Sequence, residues 1–90
     1  MEQTEKYKNI ISEMIAKQAV VLGPKIAILK ARNVQGLTVD DKGDVISIEG
    51  NSSEVLQSLI DEYIALSGEI VKNVMRPIFE KYPEISKEVN

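Results

Sequence analysis

Ninety residues with 11 Lys/Arg, 14 Asp/Glu, no Cys and no His make one domain with a modest core, since a chain this size buries only about 60–65% of its extended surface. The missing cysteines exclude disulfides, thiolate chemistry and Cys-based zinc sites, and the missing histidines exclude the commonest general base and transition-metal ligand. The net charge of −3 conceals an asymmetry, with six Lys/Arg against three Glu in residues 1–36 and five against eleven Asp/Glu in residues 37–90.

Such halves can pair between two copies, or the first can face an acidic partner. Abundant Ile, Val, Lys and Glu give a thermophile-like composition. Met1 to Glu5 is acidic and carries no apolar segment, so no targeting peptide is expected. The most apolar run, Ala19–Leu29, is too short for the roughly 20 residues of a membrane span. The expectation is a cytoplasmic protein with no membrane partner.

Residues 4–32 read as helix, because Ile11, Ile15, Ala19, Leu22, Ile26 and Leu29 recur at spacings of three and four. Tyr7, Ile10 and Met14 widen the stripe. Gly23-Pro24 interrupts it, since proline removes a helical hydrogen bond and crowds the preceding turn. The unbroken apolar period favours one helix kinked there. The alternative is two helices, with Pro24 the first residue of the second. Asn33 or Gly36 can take the left-handed cap that ends this segment.

Leu37–Val39 and Val45–Ile48 read as strands joined by the turn Asp40-Asp41-Lys42-Gly43-Asp44. Alternation puts Leu37, Val39, Ile46 and Ile48 on one face, which must lie on the helices because a lone hairpin is unstable. The turn fails as a calcium loop. Counted from Asp40, position 3 is Lys42, position 6 is Val45 and position 12 is Asn51.

Asn51 and Glu54 resemble a capping box. The second helix is expected from about Ser52 to Tyr82. Its apolar residues, from Val55 and Leu56 to Ile78 and Phe79, cover more than one stripe, the mark of a helix buried on two sides. Pro77 is expected to kink it. Ala65, Ser67 and Gly68 are small, which suggests close approach by another helix. Glu69 can form surface pairs with Lys72 and Arg76. The domain is expected over 1–83, with 84–90 a frayed tail.

The fold class is therefore α+β: two long kinked helices flanking a β-hairpin (α-β-β-α). A helix-mediated homodimer is expected, because a straight second helix of roughly 45 Å would outgrow a domain this small. The expected dimer interface is Leu56, Leu59, Ile60, Tyr63, Ser67, Gly68, Ile70 and Val74. No catalytic constellation, cofactor motif, metal set or phosphate-binding glycine loop is visible. The leading expectation is thus a non-enzymatic homodimeric interaction or regulatory module that takes no cofactor and docks a protein partner.

One alternative is a winged-helix DNA-binding protein. It would use Pro24–Arg32 as recognition helix, Lys25, Lys30 and Arg32 as contacts, and the hairpin as wing. The second is a binder of a small anionic ligand between helices, drawing on Tyr63, Glu69 and Arg76.

Overall fold

The computed structural model describes residues 2–86. It is a small α+β domain in the order α1 (Glu2–Leu22), α2 (Pro24–Arg32), β1 (Leu37–Val39), β2 (Val45–Ile48), α3 (Ser52–Ser67), α4 (Ile70–Lys81) and α5 (Pro83–Ser86). No helix among the described residues is long and apolar enough to cross a membrane.

Both long helical segments are broken. Gly23 (φ 91°, ψ 146°) separates α1 from α2, and Gly68 (φ 64°, ψ −133°) ends α3. The expected single kinked helix over 4–32 is therefore two helices. Gly23 N–H still donates to the Ala19 carbonyl at 2.9 Å, and Ala27 N–H donates to the Gly23 carbonyl at 3.1 Å. Pro24 thus sits in the first turn of α2, where its missing N–H is harmless.

The expected continuous helix over 52–82 likewise becomes α3 and α4. The Gly68 N–H closes α3 on the Ile64 carbonyl at 2.8 Å before the chain turns. A β-carbon at Gly68 would meet nothing within 4 Å, so its positive φ, rather than close approach of another helix, explains the glycine. The helix passes through Pro77, which is exposed along with Asn73, the residue whose carbonyl it leaves unbonded.

The fold-back lets a modest core form. Straight helices over 4–32 and 52–82 would each be roughly 45 Å long, against a longest molecular dimension of 30 Å. Broken, they bury Tyr7, Ile10, Ile11, Met14 and Ile15 of α1, Leu56, Leu59 and Tyr63 of α3, and Val71 and Ile78 of α4 in one cluster. Only Ala27 and Ala31 are buried from α2, so its backbone can lie close to its neighbours.

The two strands pair antiparallel, with Leu37 opposite Ile48, Thr38 opposite Ser47 and Val39 opposite Val45. A register shift between Thr38 and Val39 adds one residue to β2. It turns Ile46 outward, 56% exposed, and packs Val45 against the core instead. Uniform alternation would have put Ile46 inside; the bulge reverses that. Gly36, not Asn33, carries the positive φ after α2. A β-carbon there would stand 2.5 Å from the Glu49 carbonyl oxygen.

The hairpin turn is built on Asp40, whose Oδ1 accepts from the N–H groups of Lys42 and Asp44, each at 2.9 Å. The Asp44 bond, with help from those of Lys42 and Gly43, holds the Asp40 carboxyl below the usual carboxylate range. Ser12 Oγ accepts from Val45 N–H at 3.2 Å, tying β2 to α1. Asn51 caps α3 by accepting from the N–H groups of Ser53 and Glu54.

The chain past Tyr82 is docked. α5 places Ile85 fully in the core, and Glu84 pairs with Lys6 at 2.7 Å. Packing therefore extends beyond the boundary expected at residue 83; residues 87–90 lie outside the described residues. Lys81 reaches both oxygens of Glu13 at 2.8 Å, fastening α4 to α1.

One core residue breaks the apolar rule. Gln18 on α1 is 0% exposed, and neither amide atom has a hydrogen-bond partner. An unpaired buried amide costs about 1–3 kcal/mol. Gln18→Met keeps the length of the side chain and removes the polar atoms. It is expected to raise the urea midpoint at unchanged m, a gain of about 1–3 kcal/mol; a lowered midpoint would contradict this reading of Gln18.

Candidate functional site

The residues singled out from sequence are divided by the fold between core and surface. Leu56, Leu59, Ile60 and Tyr63 are at most 3% exposed within one chain. They have no surface left for a second copy, so they drop out of the expected interface. The reason is the break at Gly68: α4 folds back and a single chain covers both apolar sides of α3. Ser67, Gly68 and Val74 remain partly exposed, and Ile70 is 48% exposed.

Tyr63, Glu69 and Arg76 do not converge. The Tyr63 hydroxyl donates to the Ala27 carbonyl at 2.7 Å inside the core, and burial pushes it well above the usual phenol range. Glu69 is exposed and pairs with Lys72 at 3.7 Å, a surface contact worth tenths of a kcal/mol. Arg76 lies exposed on α4.

The cations of the DNA-binding reading are also dispersed. Lys30 stands 4.0 Å from Glu62. Arg32 pairs with Asp41 at 2.8 Å and points its other donors at the Val39 carbonyl, joining α2 to the hairpin. Lys25 is exposed on the first turn of α2. Among the described residues, no group of three acidic side chains is placed to hold a metal ion.

Two surface features remain. The first is a set of bare apolar side chains around the two helix breaks. Val20, Val21, Ile26, Leu29, Ile64, Leu66 and Ile70 are all exposed, Val20 by 87%. With Ile46 they are the exposed large hydrophobics among the described residues, and all seven lie within six positions of Gly23 or Gly68. The Tyr63–Ala27 bond and the Lys30–Glu62 pair join the two segments that carry these corners.

The second is an apolar groove of about 510 Å³ between α3 and α4. Ile60, Ile64, Val71, Met75 and Phe79 line it, Lys72, Arg76 and Glu80 stand along α4, and Pro83 closes one end. The groove is partly legible in the sequence, since 71/75/79 and 72/76/80 follow one another at helical spacing. Without the turn at Gly68, nothing brings Ile60 and Ile64 opposite them.

Compared with known proteins, the chain matches no family model, no curated protein and no solved structure.

The place of Tyr63 yields a direct test. Tyr63→Phe removes the bond to the Ala27 carbonyl, which, inside α2, keeps its helical donor, and is expected to cost about 0.5–1.5 kcal/mol in urea unfolding. A cost within about 0.3 kcal/mol of zero would show that this hydrogen bond does not help to hold α2 on α3.

Proposed function

We propose that the chain is a non-enzymatic association module that forms a homodimer through the bare apolar side chains around Gly23 and Gly68. The observation that carries this is the confinement of seven exposed large aliphatic side chains to those two corners. Summed over the two corners at ordinary side-chain sizes they leave roughly 600 Å² bare, which joined as one face is the upper end of the largest patch a monomer exposes. Two copies covering one another would bury roughly 1,200 Å², the lower bound of a specific interface. Two-fold pairing is the commonest way for such a patch to be covered. Of the eight interface residues expected from sequence, the proposal keeps the four that are not buried, Ser67, Gly68, Ile70 and Val74, and moves the centre of the contact to the helix breaks.

The DNA-binding alternative has one observation in its favour, the split between α1 and α2 that a helix-turn-helix needs. Two count against it. Lys30 and Arg32 face carboxylates, and Asp41 and Asp44 stand exposed at the hairpin tip that would approach phosphate. Duplex binding that weakens steeply with salt would favour that reading over association.

Light scattering decides the primary reading. At about 100 µM the wild type is expected at twice the 10.0 kDa chain mass. Val20→Glu combined with Leu66→Glu is expected to return it to a monomer with unchanged circular dichroism. A wild type that stays at 10.0 kDa at that concentration overturns the proposal.

A further inference from the structure

The groove between α3 and α4 has a floor and a rim of different chemistry. Its floor is apolar, with Ile60, Val71 and Met75 buried beneath and Ile64 and Phe79 at its sides. Its volume of about 510 Å³ falls within the range of roughly 300–1,000 Å³ of small-molecule sites. Lys72 and Arg76 stand one turn apart on the rim. Arg76 makes no ion pair among the described residues, and the Lys72–Glu69 pair at 3.7 Å is largely exposed and easily exchanged. Glu80 occupies the next turn, at the Pro83 end. It lies one turn, roughly 6 Å along the axis, from Arg76, with no ion pair to it, and roughly 9 Å from the midpoint of Lys72 and Arg76, just beyond the ~8 Å over which exposed charges act strongly at physiological salt.

From this arrangement we infer that the groove is a binding site for a single-chain amphiphile with an anionic head, a carboxylate or a phosphate monoester. The head lies between Lys72 and Arg76, whose guanidinium can grip either group with two hydrogen bonds. The tail lies between the water-facing sides of Ile64 and Phe79, over the buried Ile60 and Met75, and removes the apolar surface of the first two from water. Neither part suffices alone. Two exposed cations hold a free anion weakly, and a groove open along one side holds an uncharged chain without fixing it. The site differs from the trio Tyr63, Glu69 and Arg76: it keeps Arg76, replaces the tyrosine with an apolar floor, and places Glu69 outside.

The test uses the full chain and four probes below their micelle thresholds: dodecanoate, dodecyl phosphate, dodecyltrimethylammonium and inorganic phosphate. Amide chemical shifts are followed by NMR. Both anionic amphiphiles are expected to shift Ile64, Val71, Met75 and Phe79 saturably. Lys72→Gln with Arg76→Gln, two exposed changes, is expected to weaken both by about tenfold or more with the spectrum otherwise preserved. The groove shares Ile64 with the association face, so Val20→Glu with Leu66→Glu, which removes the association and spares the groove, is expected to leave binding intact. Cosedimentation with phosphatidylglycerol vesicles is expected to show no binding; sedimentation would assign these cations to a bilayer surface and overturn the proposal. It is also overturned if the cationic amphiphile binds as well as the anionic ones, if inorganic phosphate alone reproduces the shifts, or if the shifts map away from α4.

Discussion

Gly23 and Gly68 hold backbone conformations that only glycine adopts at low cost, with φ of 91° and 64° and extended or near-extended ψ. At each, an apolar segment that would otherwise run on as one long helix turns into a second direction. The geometry leaves little choice. Helices of roughly 45 Å cannot bury two apolar sides inside a body 30 Å long. Folded back, α4 and α2 cover surfaces of α3 and α1 that would have faced water, and the chain closes one core. The fastenings are local and modest: Tyr63 on Ala27, Lys81 on Glu13, Glu84 on Lys6. They set direction, while the buried aliphatic residues supply the driving force.

The same breaks account for the surface. A helix that ends at a corner leaves its last apolar residues where no neighbour continues, which is where Val20, Val21, Leu66 and Ile70 are found. The α3/α4 groove has the same origin, because two helices diverging from Gly68 leave a trough between them. The basic half of the chain is largely compensated within it, Lys30 by Glu62 and Arg32 by Asp41. The charge asymmetry of the sequence therefore describes intrachain pairing at least as much as an external partner.

Much of the fold is legible in the residues. The 3.6-residue period places Tyr7, Ile10, Ile11, Met14 and Ile15 in the core, Asn51 announces the start of α3, and the acidic turn with Gly43 announces the hairpin. The breaks are harder to read because the apolar period runs through both. Periodicity reports which residues are apolar, not whether the backbone between them stays helical. Gly23 has a proline beside it as a signal. Gly68 has none, and Pro77, the more obvious breaker, is accommodated inside α4. Ile46 defies the alternation because a one-residue bulge leaves no mark in it. Gln18 escapes an apolar count because it falls at a core spacing but is polar. The candidate site is least legible, since the groove needs α3 and α4 to face each other, and that follows from a turn the sequence does not signal.

Replacing each of these glycines with alanine gives opposite signs for a broken and a continuous helix. In a continuous helix, alanine in place of glycine stabilises by about 1 kcal/mol through helix propensity. At a φ of 91° or 64° the added β-carbon is strained by the backbone itself, although it meets no neighbour within 4 Å at either position. Urea unfolding of Gly23→Ala and Gly68→Ala is therefore predicted to show a loss of about 1–3 kcal/mol for each. A gain in stability at either position would contradict the fold-back there, and with it the common origin of the bare apolar corners and the groove.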